Sequence, residues 1–324
     1  MDIDVDDIIK YIDVRIGELE SKEYKGSNST VLTCEIQNQL DNFKNDIDLV
    51  YKQSLGELNN LIGLKEVKEE IKKLVNYLIF IKKLGNKIKL DSINLNMVFR
   101  GNPGTGKTTV ARIVATILCK LGFLKNDTVL ETTPRDFIAG YVGQTAIKAQ
   151  KTIEKARGGV IFIDEAYTFS QSADENGHTF TYEAITEIIK EMEKKETIFI
   201  FAGYGQEMDD FIELNPGIKS RVAYDINFIN YTKEELFTIF DNKIKNAGLV
   251  LSNDAKEILL DKIESKMKNK NFGNGRMIDN LFDEILREHA SNNLYETDDN
   301  KLLLIMGDTI KNIKIKTEGG MFFG

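Results

Sequence analysis

A glycine-rich stretch followed by a lysine and a threonine has the residue types and the spacing that bind phosphate. It comprises Gly101, Asn102, Pro103, Gly104, Thr105, Gly106, Lys107 and Thr108, followed by Thr109. The stretch matches the pattern G-x-x-x-x-G-K-[ST], in which glycines let backbone N–H groups turn toward phosphate oxygens. Lys107 would reach the outer phosphates of a nucleotide, and the Thr108 hydroxyl would ligate Mg²⁺. The alternative is a chance glycine-rich turn, which the strand pattern before the stretch and the helical pattern after it disfavour.

Two carboxylates at the end of an apolar run supply the second part of this chemistry. Asp164 and Glu165 directly follow Ile161, Phe162 and Ile163. Asp164 would hold Mg²⁺, and Glu165 would polarise an attacking water molecule. A solvated turn is the alternative for an acidic strand end. Because a phosphate-binding stretch precedes it in the chain, we predict a site that hydrolyses a nucleotide.

Alternating strand and helix patterns surround these motifs. Runs of apolar, β-branched and aromatic residues predict strands at 95–99, 128–133, 159–164, 197–203 and 223–228, and amphipathic patterns predict helices at 64–84 and 145–156. Runs that are polar only at their ends suit parallel strands buried on both faces. We therefore predict an α/β domain with a parallel sheet and crossover helices over residues 56–229.

The strand patterns stop after the last of these runs. Amphipathic segments that begin with a capping or loop residue follow at 232–248, 252–270 and 273–290, and a further apolar segment lies at 301–315. They predict a small helical domain over residues 230–316, with a tail at 317–324.

The first 55 residues differ from the rest of the chain because they are rich in acids and contain two helical patterns. The first pattern includes Ile12 and Ile16, and the second includes Leu40 and Ile47. These patterns predict helices that need a partner surface. That surface is the main domain, another subunit or a separate protein, and the sequence leaves the three open.

Composition limits the classes of function. The chain has 324 residues, 42% of them hydrophobic, and 43 basic against 51 acidic residues give a net charge of −8, which disfavours a nucleic-acid partner. Two cysteines and two histidines have no spacing for a zinc site or a disulfide framework. An acidic N-terminus and the lack of a long apolar run argue against a signal peptide or a membrane partner, so we expect a cytoplasmic protein.

Several segments resemble those of the AAA+ ATPases, and more narrowly the group that includes red-type Rubisco activase and the sporulation stage V protein K of endospore-forming bacteria. They lie at 61–71, 101–112, 137–148, 158–167, 201–204, 215–221 and 272–276. The resemblance implies a P-loop domain with α/β/α layers, a small helical lid, and ATP with Mg²⁺ as cofactors. It also implies that Ile62, Gly63 and Leu64 contact adenine, for which an ordinary turn before a helix is the alternative.

Two arginines acquire roles from the same resemblance. Arg221, after the segment NPGIKS, resembles the arginine finger that reaches the nucleotide of a neighbouring subunit. Arg276 resembles the sensor-2 arginine that contacts the nucleotide of its own subunit. Taken alone, each arginine would be a surface ion pair. With Lys107 and Glu165 they form the catalytic set that the resemblance implies, in a homo-oligomer that we expect to be a hexamer.

Tyr141, Val142 and Gly143 resemble the aromatic pore loop of AAA+ translocases. An aromatic side chain grips an extended peptide by burying apolar area, and glycine beside it lets the loop move. A buried tyrosine in an ordinary connection is the alternative. One position departs from the wider family, because Tyr204 follows the fourth predicted strand where many members place a polar sensor. We assign no residue to that sensor role.

These features favour an ATP-hydrolysing machine that remodels a protein client of unknown identity. The alternative of a different class is a nucleotide-gated scaffold or switch with slow hydrolysis, for which the acidic N-terminal segment would be the docking element. A nucleic-acid motor is disfavoured by the negative net charge. Within the narrower group, length and the short N-terminal segment make the sporulation-type relative the closer match to this chain than Rubisco activase.

Overall fold

The computed structural model describes residues 55–84, 93–141, 143–170, 175–269, 272–311 and 313. The described residues form two compact units. The first contains 55–61, the described part of 65–100, and 107–227, and the second contains 62–64, 101–106 and the described part of 228–324. The predicted N-terminal helices up to residue 54, Val142 and the tail 317–324 lie outside the described residues.

Five strands form one sheet: β1 Met97–Gly101, β2 Val129–Thr132, β3 Val160–Ile163, β4 Ile198–Gly203 and β5 Tyr224–Phe228. The order across the sheet is β2-β3-β4-β1-β5. The pairs β2/β3, β3/β4 and β1/β4 are parallel. Every residue of β3 and β4 is buried, as expected for central strands covered on both faces.

Helices connect the strands. They are α1 Lys65–Leu84, α2 Lys107–Lys120, α3 Thr145–Glu154, α4 Glu175–Lys194, α5 Gly205–Leu214 and α6 Pro216–Lys219, with single 3₁₀ turns at Pro134–Asp136 and Ala166–Phe169. Residues 55–60 are also helical. The helices α3, α4 and α5 pack in one apolar cluster with Ile161, Ile163, Phe199 and Phe201 of the sheet. Because strand residues alternate, Phe162 points to the opposite face.

The second unit contains a set of packed helices. They are α7 Lys233–Asn246, α8 Asn253–Met267, α9 Gly275–Asn292, α10 Asp299–Leu303 and α11 Gly307–Lys311. Thr232 and Glu235 form a capping box at the start of α7, and Ser252 caps α8. Fully buried Leu236, Leu259 and Leu281, from α7, α8 and α9, contribute to the core of this unit.

The structure confirms the predicted fold and adds one feature. The predicted strands and the helices at 64–84 and 145–156 are present to within a few residues at each end. The expectation that strands stop after 228 is wrong, because β6 Val250–Leu251 and β7 Leu304–Ile305 form a parallel pair in the second unit. Strands this short carry no period-two pattern that a sequence would show. No helix in the described part of the chain is long and apolar enough to cross a membrane.

Candidate functional site

The glycines of the phosphate-binding stretch adopt conformations that other residues avoid. Gly104 and Gly106 have φ values of 71° and 93°. A Cβ atom at Gly104 would lie 2.1 Å from the carbonyl oxygen of Gly273, so the backbone of residues 101–106 packs directly on the segment before α9. The stretch therefore has both features expected of a phosphate loop, which are left-handed glycines and a close backbone approach.

Tyr231, which belongs to the same unit, contacts this loop. Its hydroxyl donates to the carbonyl oxygen of Thr105 at 3.3 Å. Burial raises the pKa of Tyr231 to about 12, with the carboxylate of Glu235 as a smaller cause. The phenol is therefore neutral at physiological pH and remains a donor. Tyr231 was not among the predicted site residues, because a lone tyrosine between a strand and a capping box carries no motif.

The turn predicted to contact adenine lies in the second unit with the loop. Gly63 and Leu64 have left-handed φ values of 63° and 55°. A Cβ atom at Gly63 would lie 2.5 Å from Oε1 of Glu235, and one at Gly106 would lie 3.5 Å from Cδ1 of Leu64. The structure thus brings residues 62–64 beside the phosphate loop, where an apolar side chain and a tight turn could hold a base.

Arg276 lies next to the loop as well. It is the second residue of α9, and its backbone N–H would be 2.7 Å from a Cβ atom at Gly104. The side chain is exposed, and no carboxylate of the described residues forms an ion pair with it. An arginine in this position has its guanidinium available for an anion, which fits the predicted sensor role.

Lys107, Thr108 and Thr109 belong to the first unit and begin α2. Lys107 and Thr108 are half-buried, and Thr109 is exposed. The first turn of α2 contains no acidic residue, so the positive end of the helix dipole is not neutralised locally. Backbone N–H groups at such a helix start form a ready anion site.

The predicted carboxylates follow β3 at the carboxyl edge of the sheet. The Asp164 N–H donates to Thr132 at 2.8 Å, and the Glu165 N–H donates to Oδ1 of Asp164 at 3.0 Å. Glu165 is exposed and has a left-handed φ of 51°, a conformation that costs on the order of 1 kcal/mol for a residue with a Cβ. Strained residues of this kind cluster at functional sites.

Two tyrosines lie near these carboxylates and were not predicted to belong to the site. The rings of Tyr167 and Tyr204 have centroids 5.7 Å apart. Burial raises the pKa of Tyr167 to about 12, with smaller contributions from Glu165, Tyr204 and other nearby acids. A Cβ atom at Gly203 would lie 2.7 Å from Cδ1 of Tyr167, so this ring covers the end of β4. An aromatic pair therefore occupies the position where the wider family places a polar sensor.

The residues present fit a nucleotide with Mg²⁺. The left-handed glycines and the helix start suit phosphate oxygens, and Lys107 supplies a point charge. Oxygen ligands are those that Mg²⁺ prefers, and the Thr108 hydroxyl and the Asp164 carboxylate would provide them.

Arg221 occupies a different end of the first unit. Its Nη1 donates to the carbonyl oxygen of Gly217 at 2.9 Å and to Oγ of Ser220 at 3.1 Å. Nη2 forms an ion pair with Glu193. Its backbone carbonyl accepts from Nδ2 of Asn94 at 2.7 Å. Both the side chain and the backbone carbonyl of Arg221 are therefore held by residues of its own chain.

Asn96 anchors this region to the sheet. It is buried, its Oδ1 accepts from the N–H of Phe199 at 2.9 Å, and its Nδ2 donates to the carbonyl oxygen of Arg221 at 3.1 Å. Its own carbonyl accepts from the N–H of Ala223 at 2.9 Å. Asn96 was not among the predicted site residues, although a polar residue directly before a buried strand was a usable signal.

Tyr141 projects from the loop between β2 and α3 and is 74% exposed. The alternative of a buried core tyrosine does not fit this exposure. Gly143 has a left-handed φ of 79° and open space around it. The predicted pore-loop segment thus presents an aromatic ring to solvent, although its middle residue, Val142, lies outside the described residues.

Comparisons with known proteins agree with this arrangement. Residues 97–230 match the model of the "ATPase family associated with various cellular activities (AAA)", and residues 232–316 match the "AAA lid domain". The chloroplastic ribulose bisphosphate carboxylase/oxygenase activase of Cyanidioschyzon merolae is 38% identical over 246 residues, which cover 75% of this chain and 83% of that protein. The chain belongs to the AAA family of ATPases.

A second relative supports this assignment, and a solved structure has the same fold. Stage V sporulation protein K of Bacillus subtilis is 34% identical over 265 residues, covering 80% of this chain and 78% of that protein. The FIGL-1 AAA domain in complex with ADP matches with a TM-score of 0.54 at 17% identity, covering 80% of this chain and 85% of that chain. The structural match shows the fold, and the two sequence matches confirm the resemblance to the narrower group.

Proposed function

We propose that this AAA protein hydrolyses ATP with Mg²⁺ as a ring oligomer, a hexamer, and uses the hydrolysis to remodel a protein client in the cytoplasm. The position of Arg221 is the observation that supports the oligomer most strongly. Its backbone is bound to Asn94 and Asn96, which precede β1, whereas Asp164 and Glu165 follow β3.

These two groups therefore lie at opposite ends of the sheet. Each residue of a strand advances the chain by about 3.3 Å, so the five residues of β1 separate the two edges by roughly 16 Å. The backbone of Arg221 is held at this end by the side chains of Asn94 and Asn96. Arg221 is therefore far from a nucleotide bound beside Glu165 of its own chain and is better placed to reach a nucleotide bound by a neighbouring copy. A trans-acting arginine finger has this arrangement.

Each residue of the candidate site then has a defined part in hydrolysis. Residues 101–106, Lys107 and Arg276 bind and orient the phosphates, and residues 62–64 hold the base. Thr108 and Asp164 would hold Mg²⁺, which when bound would neutralise phosphate charge. Glu165 accepts a proton from the attacking water as its oxygen bonds to the γ-phosphorus and the bond to the bridging oxygen breaks, giving ADP and phosphate. Arg221 stabilises the charge spread over the γ-phosphoryl oxygens.

The exposure of Tyr141 supports the proposal that the client is a protein. Its exposed ring and the open space at Gly143 suit a loop that grips an extended chain without reading its sequence. A net charge of −8 disfavours nucleic acid as the client. The client itself is a protein of unknown identity. Rubisco activation and a sporulation role like that of stage V sporulation protein K are the two named possibilities, and the second is the one that we propose.

The second candidate function is a nucleotide-gated scaffold or switch with slow hydrolysis. The ion pair between Arg221 and Glu193 favours it, because an arginine held by its own chain is not free for a neighbouring nucleotide. A switch of this kind would bind ATP and change its assembly with little turnover.

ATP turnover across protein concentration separates the two functions. We expect turnover per subunit to rise steeply as the ring forms, with mass measurement in ATP showing the species present at each concentration. Full turnover by a monomer would contradict the trans-acting arginine. Tight ATP binding with negligible turnover at every concentration would favour the switch.

A further inference from the structure

Asn274 lies within the second unit at the start of α9 and has a set of unusual properties. Its side chain is fully buried, and its φ and ψ of 46° and −119° lie outside the regions that most residues adopt. A buried amide must satisfy one acceptor and two donor hydrogens. Asn274 satisfies all of them through three hydrogen bonds to two other segments of the chain.

The partners of this amide surround the phosphate loop. Its Oδ1 accepts from the N–H of Tyr231 at 3.1 Å. Its Nδ2 donates to the carbonyl oxygen of Pro103 at 3.3 Å and to Oδ1 of Asn230 at 3.0 Å. The same Asn230 oxygen accepts from Nδ2 of Asn102 at 2.9 Å. The Asn274 side chain therefore links the start of α9 both to the segment before α7 and to the loop.

The loop carbonyls that follow are bound in the same unit. The carbonyl of Gly104 accepts from the N–H of Gly275 at 2.9 Å, and that of Thr105 accepts from the hydroxyl of Tyr231 at 3.3 Å. With Pro103, three consecutive carbonyls of the loop point toward the segments that flank α7 and α9.

This pattern fixes the direction of the N–H groups. In a trans peptide the C=O of one residue and the N–H of the next point in opposite directions, and no described peptide bond is cis. Holding the carbonyls of Pro103, Gly104 and Thr105 therefore turns the N–H groups of the residues that follow each of them away from α9. A phosphate loop needs its N–H groups, and not its carbonyl oxygens, to face the anion.

We propose that Asn274 is a positioning residue for phosphate binding, which holds residues 101–106 with their carbonyls turned away from the nucleotide. Asn274 does not itself contact the phosphate in this account. The proposal rests on nucleotide binding by the loop, as set out under the proposed function. Without Asn274, a peptide of the loop can rotate and present a carbonyl oxygen to the anion.

Substitutions can separate this role from simple stability. Asn274→Gly tolerates the unusual φ and removes the side chain. Asn274→Asp keeps the acceptor for Tyr231 but, when ionised, cannot donate to Pro103 or Asn230. Ile285→Ala is the matched control, because Ile285 is fully buried in the same helix and its apolar side chain forms no hydrogen bond with the loop.

The test measures the dissociation constants of ADP and AMP, by competition with a fluorescent ADP, together with the melting temperature of each variant. We expect Asn274→Gly to raise the ADP dissociation constant by about tenfold or more, since each lost hydrogen bond contributes roughly a factor of five. AMP, which lacks the β-phosphate, should be affected less. Ile285→Ala should lower the melting temperature and leave the ADP dissociation constant of the folded protein unchanged.

Asn274→Asp adds a pH readout that a structural role would not give. A buried carboxyl has a raised pKa, so lowering the pH from about 8 to about 6 protonates it and restores one donor. As the pH is lowered over that range, the ADP affinity of Asn274→Asp should rise toward that of the wild type. If Asn274→Gly does not fold, Asn274→Asp alone tests the proposal. Unchanged ADP affinity in folded Asn274 variants, with only a lower melting temperature, overturns the proposal. Failure of the wild type to bind ADP would instead overturn the proposed function.

Discussion

The guanidinium of Arg221 forms an ion pair with the carboxylate of Glu193 in the same chain. A trans-acting arginine finger must leave such a partner before it reaches a neighbouring nucleotide. Glu193 is more than half exposed, so the pair contributes on the order of 0.2 to 1 kcal/mol. In the proposed trans mechanism, breaking this pair therefore adds a small free-energy cost to activation.

Removing the charge of Glu193 should favour the active assembly. We predict that Glu193→Gln lowers the protein concentration for half-maximal ATP turnover by about two- to fivefold, the equivalent of an exposed ion pair. Glu213→Gln is the control, because Glu213 pairs with Lys219 on the surface of the same unit. An unchanged or higher concentration requirement for Glu193→Gln would show that the pair does not restrain Arg221.

Tyr141 offers a test of the client-gripping role. Because its ring is 74% exposed, Tyr141→Ala should change the free energy of unfolding by less than about 0.5 kcal/mol. It should also abolish the increase in ATP turnover caused by an unfolded model protein, while Tyr141→Phe keeps most of it. Tyr182→Ala is a matched control, since Tyr182 is 75% exposed on α4. Equal loss of stimulation in both alanine variants would argue against a specific pore loop.

Substitution of Gly104 tests the close packing of the phosphate loop against Gly273. Its φ is 71°, and an added Cβ would lie 2.1 Å from the carbonyl oxygen of Gly273. We predict that Gly104→Ala lowers stability by about 2 to 4 kcal/mol and weakens ADP binding by at least about tenfold. Gly205→Ala should do neither, because nothing lies within 4 Å of its Cβ position. Urea unfolding and ADP titration measure the two effects, and wild-type behaviour of Gly104→Ala would refute the packing described here.

Tyr231 predicts a pH dependence of stability. Its pKa is about 12 in the folded protein against 10.0 for an unperturbed tyrosine, so the unfolded chain loses this proton first. The contribution is therefore complete below pH 10 and is lost as the pH rises toward 12. Tyr231→Phe should remove this part of the loss, so that its free energy of unfolding falls less steeply than that of the wild type between these pH values. Parallel curves from urea unfolding would contradict the assignment.

The parts of the site that lie close together in sequence were predictable. The phosphate loop, the carboxylates after β3 and the caps of α7 and α8 are local patterns, in which short-range chemistry requires particular residues at fixed spacing. The alternation of buried strands likewise identified the sheet, because parallel central strands must be apolar on both faces.

The residues that join distant segments were not predictable in this way. Asn96 and Asn274 act through contacts across more than 100 and 40 residues of sequence, respectively, so their neighbours in the chain give no indication of their partners. The parallel pair β6/β7 depends on a similar long-range pairing. A single buried polar residue next to a motif is the signal that remains in the sequence, and it identifies a candidate without its role.

The most direct test of the central claim is a mixing experiment with two inactive variants. Arg221→Ala retains Glu165 and its own nucleotide site, and Glu165→Gln retains an intact Arg221 to offer to a neighbour. If the arginine acts in trans, equal mixing should restore ATP turnover at about a quarter of the subunit interfaces, by random assembly in a closed ring. No recovery on mixing, with both variants folded and assembled, would contradict the proposal that one subunit completes the site of the next.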